Sequence, residues 1–259
     1  MPQGLGLFSL EGQVALVTGA SRGIGASIAR CFASAGAKLV LVARKKDPLE
    51  EMAASLRGAG ADAIAVAGHS GKAGDVKAAF AAAVERFGKV DVLVNNAATN
   101  PYFGPLLDIE EPAWDKTFEV NVKGYFHCIR ELSAHLMKRN APGSIVNLAS
   151  ITGLRGAPMQ GVYGMTKAAV ISMTQTLAQE LGGAGIRVNA IAPGLVETRF
   201  AATLIQSEEI LKHVTERAAL GRHAQPDEIS GAALFLASQA SSYVTGQVVV
   251  VDGGTTITG

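Results

Sequence analysis

The stretch Val14-Ala-Leu-Val-Thr-Gly-Ala-Ser-Arg-Gly-Ile-Gly25 constrains this chain more than any other. Residues 14–17 form a continuous apolar run of strand length, which suits a strand buried on both faces. Gly19, Gly23 and Gly25 follow, and the alanine-rich amphipathic run 26–35 reads as a helix. Strand, glycine-rich turn and helix in that order open a dinucleotide-binding unit. Glycine lets a pyrophosphate approach backbone that a Cβ would shield, and the unpaired N–H groups of a helix start supply positive partial charge. The candidate contacts are Gly19, Ser21, Arg22, Gly23, Ile24 and Gly25. The same turn without a ligand is a tight strand-to-helix connection. Its glycine spacing also differs from G-x-G-x-x-G, because three residues separate Gly19 from Gly23.

The rest of the chain repeats the opening pattern. Apolar runs at Lys38–Ala43, Ala63–Ala67, 92–94, 144–148, 187–192 and Val248–Val251 read as strands. Helical patterns lie between them at 47–58, 72–87, 112–139 and 162–181, with a last one starting at Pro226. Asp47, Pro48 and Glu50 have the spacing of an N-cap, a first helical proline and a capping-box acid. Residues 195–222 are less regular; one or two short helices forming a substrate lid are expected there. Alternating strands and helices without a composition break predict a single-domain α/β fold, a doubly wound (Rossmann) parallel seven-stranded sheet with helices on both faces.

Composition excludes several function classes. A net charge of +1 gives no footing for nucleic acid or an anionic membrane surface. Two cysteines, Cys31 and Cys128, make no disulfide framework, and with five scattered histidines they lack metal-ligand spacing, so no metal is expected. The first residues lack the basic and apolar regions of a signal peptide, and no apolar run is long enough to span a bilayer. A soluble, cytoplasmic protein is the expectation.

In a doubly wound sheet, ligands bind beyond the C-terminal strand ends. The polar and glycine residues of this chain cluster there: the 18–25 turn, Arg44, His69 and Ser70, Asn95-Asn96-Ala97, Ser150, and Pro193-Gly194. Downstream of Ser150, Tyr163 and Lys167 are four residues apart at a helix start and share one face. A free phenol has a pKa of about 10, and a neighbouring ammonium lowers it towards useful acid–base range. Taken alone, such a pair reads first as an exposed helix pair.

Taken together, Thr18-Gly19-x-x-x-Gly23-Ile24-Gly25, Asn95-Asn96-Ala97, Asn121, Ser150, Tyr163-x-x-x-Lys167 and Pro193-Gly194 resemble the short-chain dehydrogenase/reductase family, in the family's order and over nearly the whole chain. The resemblance implies hydride transfer between a nicotinamide and a carbonyl or alcohol, with Asn121, Ser150, Tyr163 and Lys167 catalytic. Tyr163 would protonate the carbonyl oxygen and Ser150 would hydrogen-bond it. Lys167 would lower the Tyr163 pKa and bind the nicotinamide ribose, and Asn121 would hold a proton-relaying water. Asn121 as a helix asparagine bonding its own backbone stands beside that reading. The cofactor contacts carried over are the glycine turn, Arg44, His69, Ser70, Asn95, Ala97, Tyr163, Lys167, Pro193, Gly194, Val196 and Thr198.

Members that prefer NAD place an acid at the end of the second strand. Here that position is Ala43, followed by Arg44, and Arg22 is the other guanidinium near the expected 2′ position. Both favour NADP(H) over NAD(H), although Arg44-Lys45-Lys46 also reads as a solvated charge run. His69 stands where many relatives have aspartate near the adenine amino group, and Ala98 where glycine is commoner.

His69-x-Gly-Lys72, Asn100-Pro-Tyr-Phe-Gly104 and Trp114-Asp-Lys116 are similar to an NADPH-dependent carbonyl and retinal reductase branch. The expected reaction is NADPH-dependent reduction of a ketone or aldehyde. The expected substrate walls are Tyr102-Phe103, Leu154 to Met159 and Leu195 to Leu220, largely apolar through Leu154, Met159, Leu195, Phe200 and Leu204. The alternatives are a 3-oxoacyl-thioester (acyl carrier protein) reductase, with Lys212, Arg217 and Arg222 as a basic rim, and a catalytically silent nucleotide sensor. The resemblance also implies a homotetramer built on the 112–139 and 162–181 helices and the C-terminal strand region.

Overall fold

The seven apolar runs form one parallel sheet in the order β3-β2-β1-β4-β5-β6-β7 in a computed structural model, which describes residues 4–201, 211–212 and 215–258. The strands are β1 (Val14–Thr18), β2 (Lys38–Ala43), β3 (Ala63–Ala67), β4 (Val92–Asn95), β5 (Gly143–Leu148), β6 (Ile186–Pro193) and β7 (Val248–Val251). Strand β1 pairs with β2 on one side and β4 on the other, so the winding reverses between β1 and β4. A crevice beyond the strand ends opens at such a reversal.

The helices cover both faces, as strands buried on each side require. On β1, Ala15 and Val17 face one core and Val14 and Leu16 the other. The first core takes Ile28 and Phe32 of α1 (Gly23–Ser34), Leu49 and Leu56 of α2 (Lys46–Gly58), and Leu236 of a C-terminal helix, Asp227–Ala237. The second takes Val76 and Phe80 of α3 (Ala73–Phe87). It also takes Leu132 and Leu136 of the segment Gly124–Arg139, and Leu181 of the segment Gly161–Gly182.

Two local expectations are corrected. Helix α2 begins one residue before Asp47, with Lys45 at its N-cap and no side-chain cap, so Asp47 lies in the first turn. Glu50 makes no capping box and pairs with Arg57 at 2.5 Å. The 112–139 helix is interrupted: α4 (Glu111–Phe118) runs through a π-helical turn (Glu119–Lys123) into α5 (Gly124–Arg139). Two further helices are α6 (Gly161–Gly182) and α7 (Asp227–Ala237). Within 195–222, a 3₁₀ turn covers Arg199–Ala201. Leu204 and part of the expected lid, 202–210 and 213–214, lie outside the described residues.

Candidate active site

The segments that follow the strands converge on a cleft of about 770 Å³ at the C-terminal edge of the sheet. At its nucleotide end, the turn after β1 is clamped to β4 by two side chains. The buried Thr18 hydroxyl accepts the N–H groups of Asn96 and Ala97 at 3.0 and 3.1 Å. The Asn96 amide donates to the carbonyls of Thr18 (2.9 Å) and Gly19 (3.2 Å). This clamp explains two of the glycines. A Cβ on Gly19 would lie 2.6 Å from Asn96 Nδ2, and one on Gly25 would lie 2.5 Å from both Asn96 Nδ2 and the Gly19 carbonyl oxygen. Gly23, in the left-handed region at φ +57°, is the one with space towards the cleft, where its nearest neighbour is the Thr198 methyl at 3.3 Å. Helix α1 starts at Gly23 without any side-chain cap, so its first N–H groups stay available for an anion.

Of the residues expected to touch a cofactor, Gly19, Ser21, Arg22, Gly23, Ile24, Arg44, His69, Ser70, Ala97, Pro193, Gly194, Val196 and Thr198 all line the cleft. Gly25 and Asn95 do not. Gly25 packs beneath the turn. Asn95 lies inside the sheet, where its amide donates to Asn147 Oδ1 at 3.0 Å, and the residue facing the cleft is its neighbour Asn96. His69 Nδ1 accepts from Gly71 N–H at 3.1 Å, and its Nε2 lies 3.1 Å from Lys116 Nζ. Burial, and then the Lys116 charge, lower its pKa and favour the neutral ring.

The chemistry end is formed by Ser150, just past β5, and by Tyr163 and Lys167 on the first turns of α6. Ser150 is hydrogen-bonded to the Tyr163 phenol, and its Oγ accepts Thr152 N–H at 3.2 Å. Lys167 Nζ lies 5.4 Å from the centre of the Tyr163 ring and donates to the Leu148 carbonyl at 2.6 Å. Packing closely over α6 is possible because Gly153 has no Cβ, which would stand 2.6 Å from the Lys167 carbonyl carbon. The expected lowering of the Tyr163 pKa by Lys167 is not what dominates here. Burial pushes the phenol up, opposed by the Ser150 hydrogen bond, and burial pulls Lys167 down to about 7. The resting arrangement is a protonated phenol above a partly charged amine.

Asn121 sits fully buried in the π-helical turn and does not line the cleft. Its Oδ1 accepts Thr99 N–H at 2.8 Å, and its Nδ2 donates to the Thr99 carbonyl (3.0 Å) and to Thr166 Oγ1 (3.1 Å). The amide therefore bonds the β4 loop and α6 rather than its own helix backbone, and it ties the nucleotide end to the helix carrying Tyr163.

Of the expected apolar walls, Leu195 and Phe200 line the cleft, and the Phe200 and Tyr163 ring centres are 5.6 Å apart. Of the 154–159 wall, Arg155, Gly156, Ala157 and Pro158 line the cleft and Leu154 and Met159 do not, nor do Tyr102 and Phe103. Thr18 and Asn96 stand in the strand-end cluster read from the sequence, but their role as the clamp of the turn is not assigned there. Their signal is position, since both stand at the C-terminal ends of adjacent strands.

The profile of a family described as enoyl-(acyl carrier protein) reductase matches residues 19–256. The chain is 39% identical over 246 residues to human dehydrogenase/reductase SDR family member 4, covering 95% of this chain and 88% of that protein. It is 37% identical to short-chain dehydrogenase/reductase SDRA of Arabidopsis thaliana, with 95% of each covered. Its fold superposes with a TM-score of 0.93 on the crystal structure of a gluconate 5-dehydrogenase from Burkholderia cenocepacia in complex with NADP and tartrate. That pair is 35% identical over 97% of this chain and 98% of the other.

Proposed function

Because this chain belongs to the short-chain dehydrogenase/reductase family, we propose that it reduces a ketone or aldehyde to an alcohol with NADPH in a reversible hydride transfer. The observation that carries the reading is the Tyr163 phenol, hydrogen-bonded to Ser150 inside the cleft and kept protonated by burial. A phenol held in its acid form is suited to give a proton to a carbonyl oxygen. Ser150 donates a second hydrogen bond to that oxygen as negative charge gathers on it. Lys167 lies close enough beneath the ring to stabilise phenolate once the proton has left. Asn121 acts as a positioning residue through Thr99 and Thr166.

The residues present fit a nicotinamide dinucleotide phosphate. The uncapped start of α1 suits the pyrophosphate, and Arg22 and Arg44 line the cleft beside Ala43, where no carboxylate repels a 2′-phosphate. NADP in the Burkholderia structure supports the same preference. When bound, the reduced nicotinamide supplies the hydride, and Lys167 and Tyr163 would hold its ribose. The thioester-reductase reading loses part of its basic rim: Arg222 is held by Glu228 at 2.7 Å, and Lys212 faces Glu216 at 3.8 Å. Two free thiols on helices α1 and α5 suit the cytoplasm. No helix among the described residues is long and apolar enough to cross a membrane.

The test is NADPH consumption with a panel of ketones, aldehydes and diketones. Tyr163→Phe is expected to lower kcat by about 10²–10⁴-fold while NADPH affinity, read by fluorescence titration, stays within a few-fold. Turnover in the variant comparable with the wild type would overturn the mechanism. Arg44→Ala is expected to raise the KM for NADPH far more than that for NADH. Equal effects would show that the 2′-phosphate is not read there.

A further inference from the structure

The charge inventory of the cleft is one-sided. Its lining includes Arg22, Arg44, Lys45, Arg155, Lys167, Arg199 and Arg217, and no aspartate or glutamate among the described residues. In a chain of net charge +1, that is a local concentration of cation and not a general property of the surface. The cations fall into two groups. Arg22, Arg44 and Lys45 follow β1 and β2, where the proposed nucleotide phosphates lie. Arg155 and Arg199 follow β5 and β6 at the Ser150 end, and Arg217 lines the same cleft. Three to four strand spacings separate the ends of β2 from those of β5 and β6, about 14–20 Å at 4.7–4.9 Å per strand.

One dinucleotide phosphate cluster does not explain two cationic ends. Arg199 adjoins Phe200, whose ring packs on Tyr163, so its backbone is fixed beside the reacting position. Arg217 is anchored by its carbonyl, which accepts the Thr258 hydroxyl. Neither Arg199 nor Arg217 has a carboxylate partner among the described residues. Among the described residues, the acids nearby are turned to other work: Glu197 accepts from His223 and Gln225, Glu216 faces Lys212, and Asp252 accepts from Gly254 and Thr256 N–H. A guanidinium in a cleft without acids is suited to an oxyanion by charge and by its fork of donors.

We propose that the substrate of this enzyme is a carbonyl compound carrying an oxyanion group, a carboxylate or phosphate, which Arg199 and Arg217 recognise at the Ser150–Tyr163 end of the cleft. The inference rests on the carbonyl-reductase reading and adds the charge of the substrate to it. Apolar contact with Leu195 and Phe200 accompanies that recognition, so the anion and an apolar portion belong to one molecule.

Matched pairs test it with the full chain and NADPH: benzoylformate against its methyl ester, and acetoacetyl pantetheine 4′-phosphate against acetoacetyl pantetheine. The charged member of at least one pair is expected to have a kcat/KM at least tenfold higher, and which pair responds separates a substrate carboxylate from a carrier phosphate. The preference should shrink as salt is raised, and Arg199→Gln with Arg217→Gln should cut the charged-to-neutral ratio at least tenfold. Calorimetric titration of benzoylformate and of the phosphorylated pantetheine thioester into the NADP-loaded protein should show the same loss of affinity in the double variant. Equal rates for charged and neutral members, or a ratio that survives the double substitution, would overturn the inference while leaving carbonyl reduction intact. No turnover of any member would overturn the carbonyl-reductase reading instead.

Discussion

Lys167 carries the sharpest electrostatic consequence of the site. Its ordinary pKa of 10.5 falls to about 7 because burial strips water from the ammonium. Below pH 7 the folded and unfolded chains both hold the proton, and the folded chain bears the cost of burying it. Between pH 7 and 10.5 only the unfolded chain holds it. Unfolding then takes up a proton, and this group's contribution to stability rises with pH. Urea denaturation should therefore show wild type gaining on Lys167→Met between pH 7 and pH 9.5. Tyr163, raised by burial, still keeps its proton throughout that window. A constant stability difference between the two proteins would mean that Lys167 titrates normally. This inversion could not be read from the spacing of Tyr163 and Lys167. Spacing gives proximity on one helix face, whereas the sign of a pKa shift depends on desolvation by β5 and α5, which only the packed fold supplies.

The connections between strands and helices divide into what pattern announces and what it conceals. Strand positions followed from apolar runs bounded by glycine or proline, and the stop after α3 followed from Gly88, which is left-handed at φ +77°. The π-helical turn had no such mark, because an added residue leaves the apolar content of 112–139 unchanged. Asn95 and Asn96 likewise looked equivalent; on a strand buried on both faces, no polar–apolar alternation says which side chain leaves the sheet. The π-helical turn matters because it buries Asn121 between two elements. Asn121→Ala would strand the part-buried Thr99 N–H and weaken the satisfaction of its carbonyl, a cost on the order of 1–3 kcal/mol. Urea denaturation measures that cost, and a loss below about 0.5 kcal/mol, the size of an ordinary surface change, would show that the bridge is dispensable. The glycine turn yields a ranking in the same assay. Gly23→Ala meets only a movable methyl and a left-handed φ, for about 1–2 kcal/mol. Gly25→Ala meets the fixed Gly19 carbonyl and should cost more.

Two sets of exposed apolar side chains lie outside the cleft lining. One is on α5 and α6, where Phe126, Met137 and Met165 are 44%, 51% and 43% exposed. The other lies by β7, the edge strand, with Val250 at 40%, Ile257 at 85% and Tyr243 fully exposed. Aromatic and long apolar side chains grouped on a surface mark association sites more often than chance exposure does. A single self-complementary patch closes a chain into a dimer, whereas two distinct ones, each used about its own two-fold axis, close it into a tetramer. We therefore propose a homotetramer in solution, with sedimentation equilibrium giving four chains per particle. Phe126→Arg should disrupt one interface and Val250→Arg the other, each leaving dimers, and the double variant should sediment as a monomer. A wild-type monomer at micromolar concentration would refute the assembly. A tetramer unaffected by either substitution would place its contacts elsewhere on the molecule.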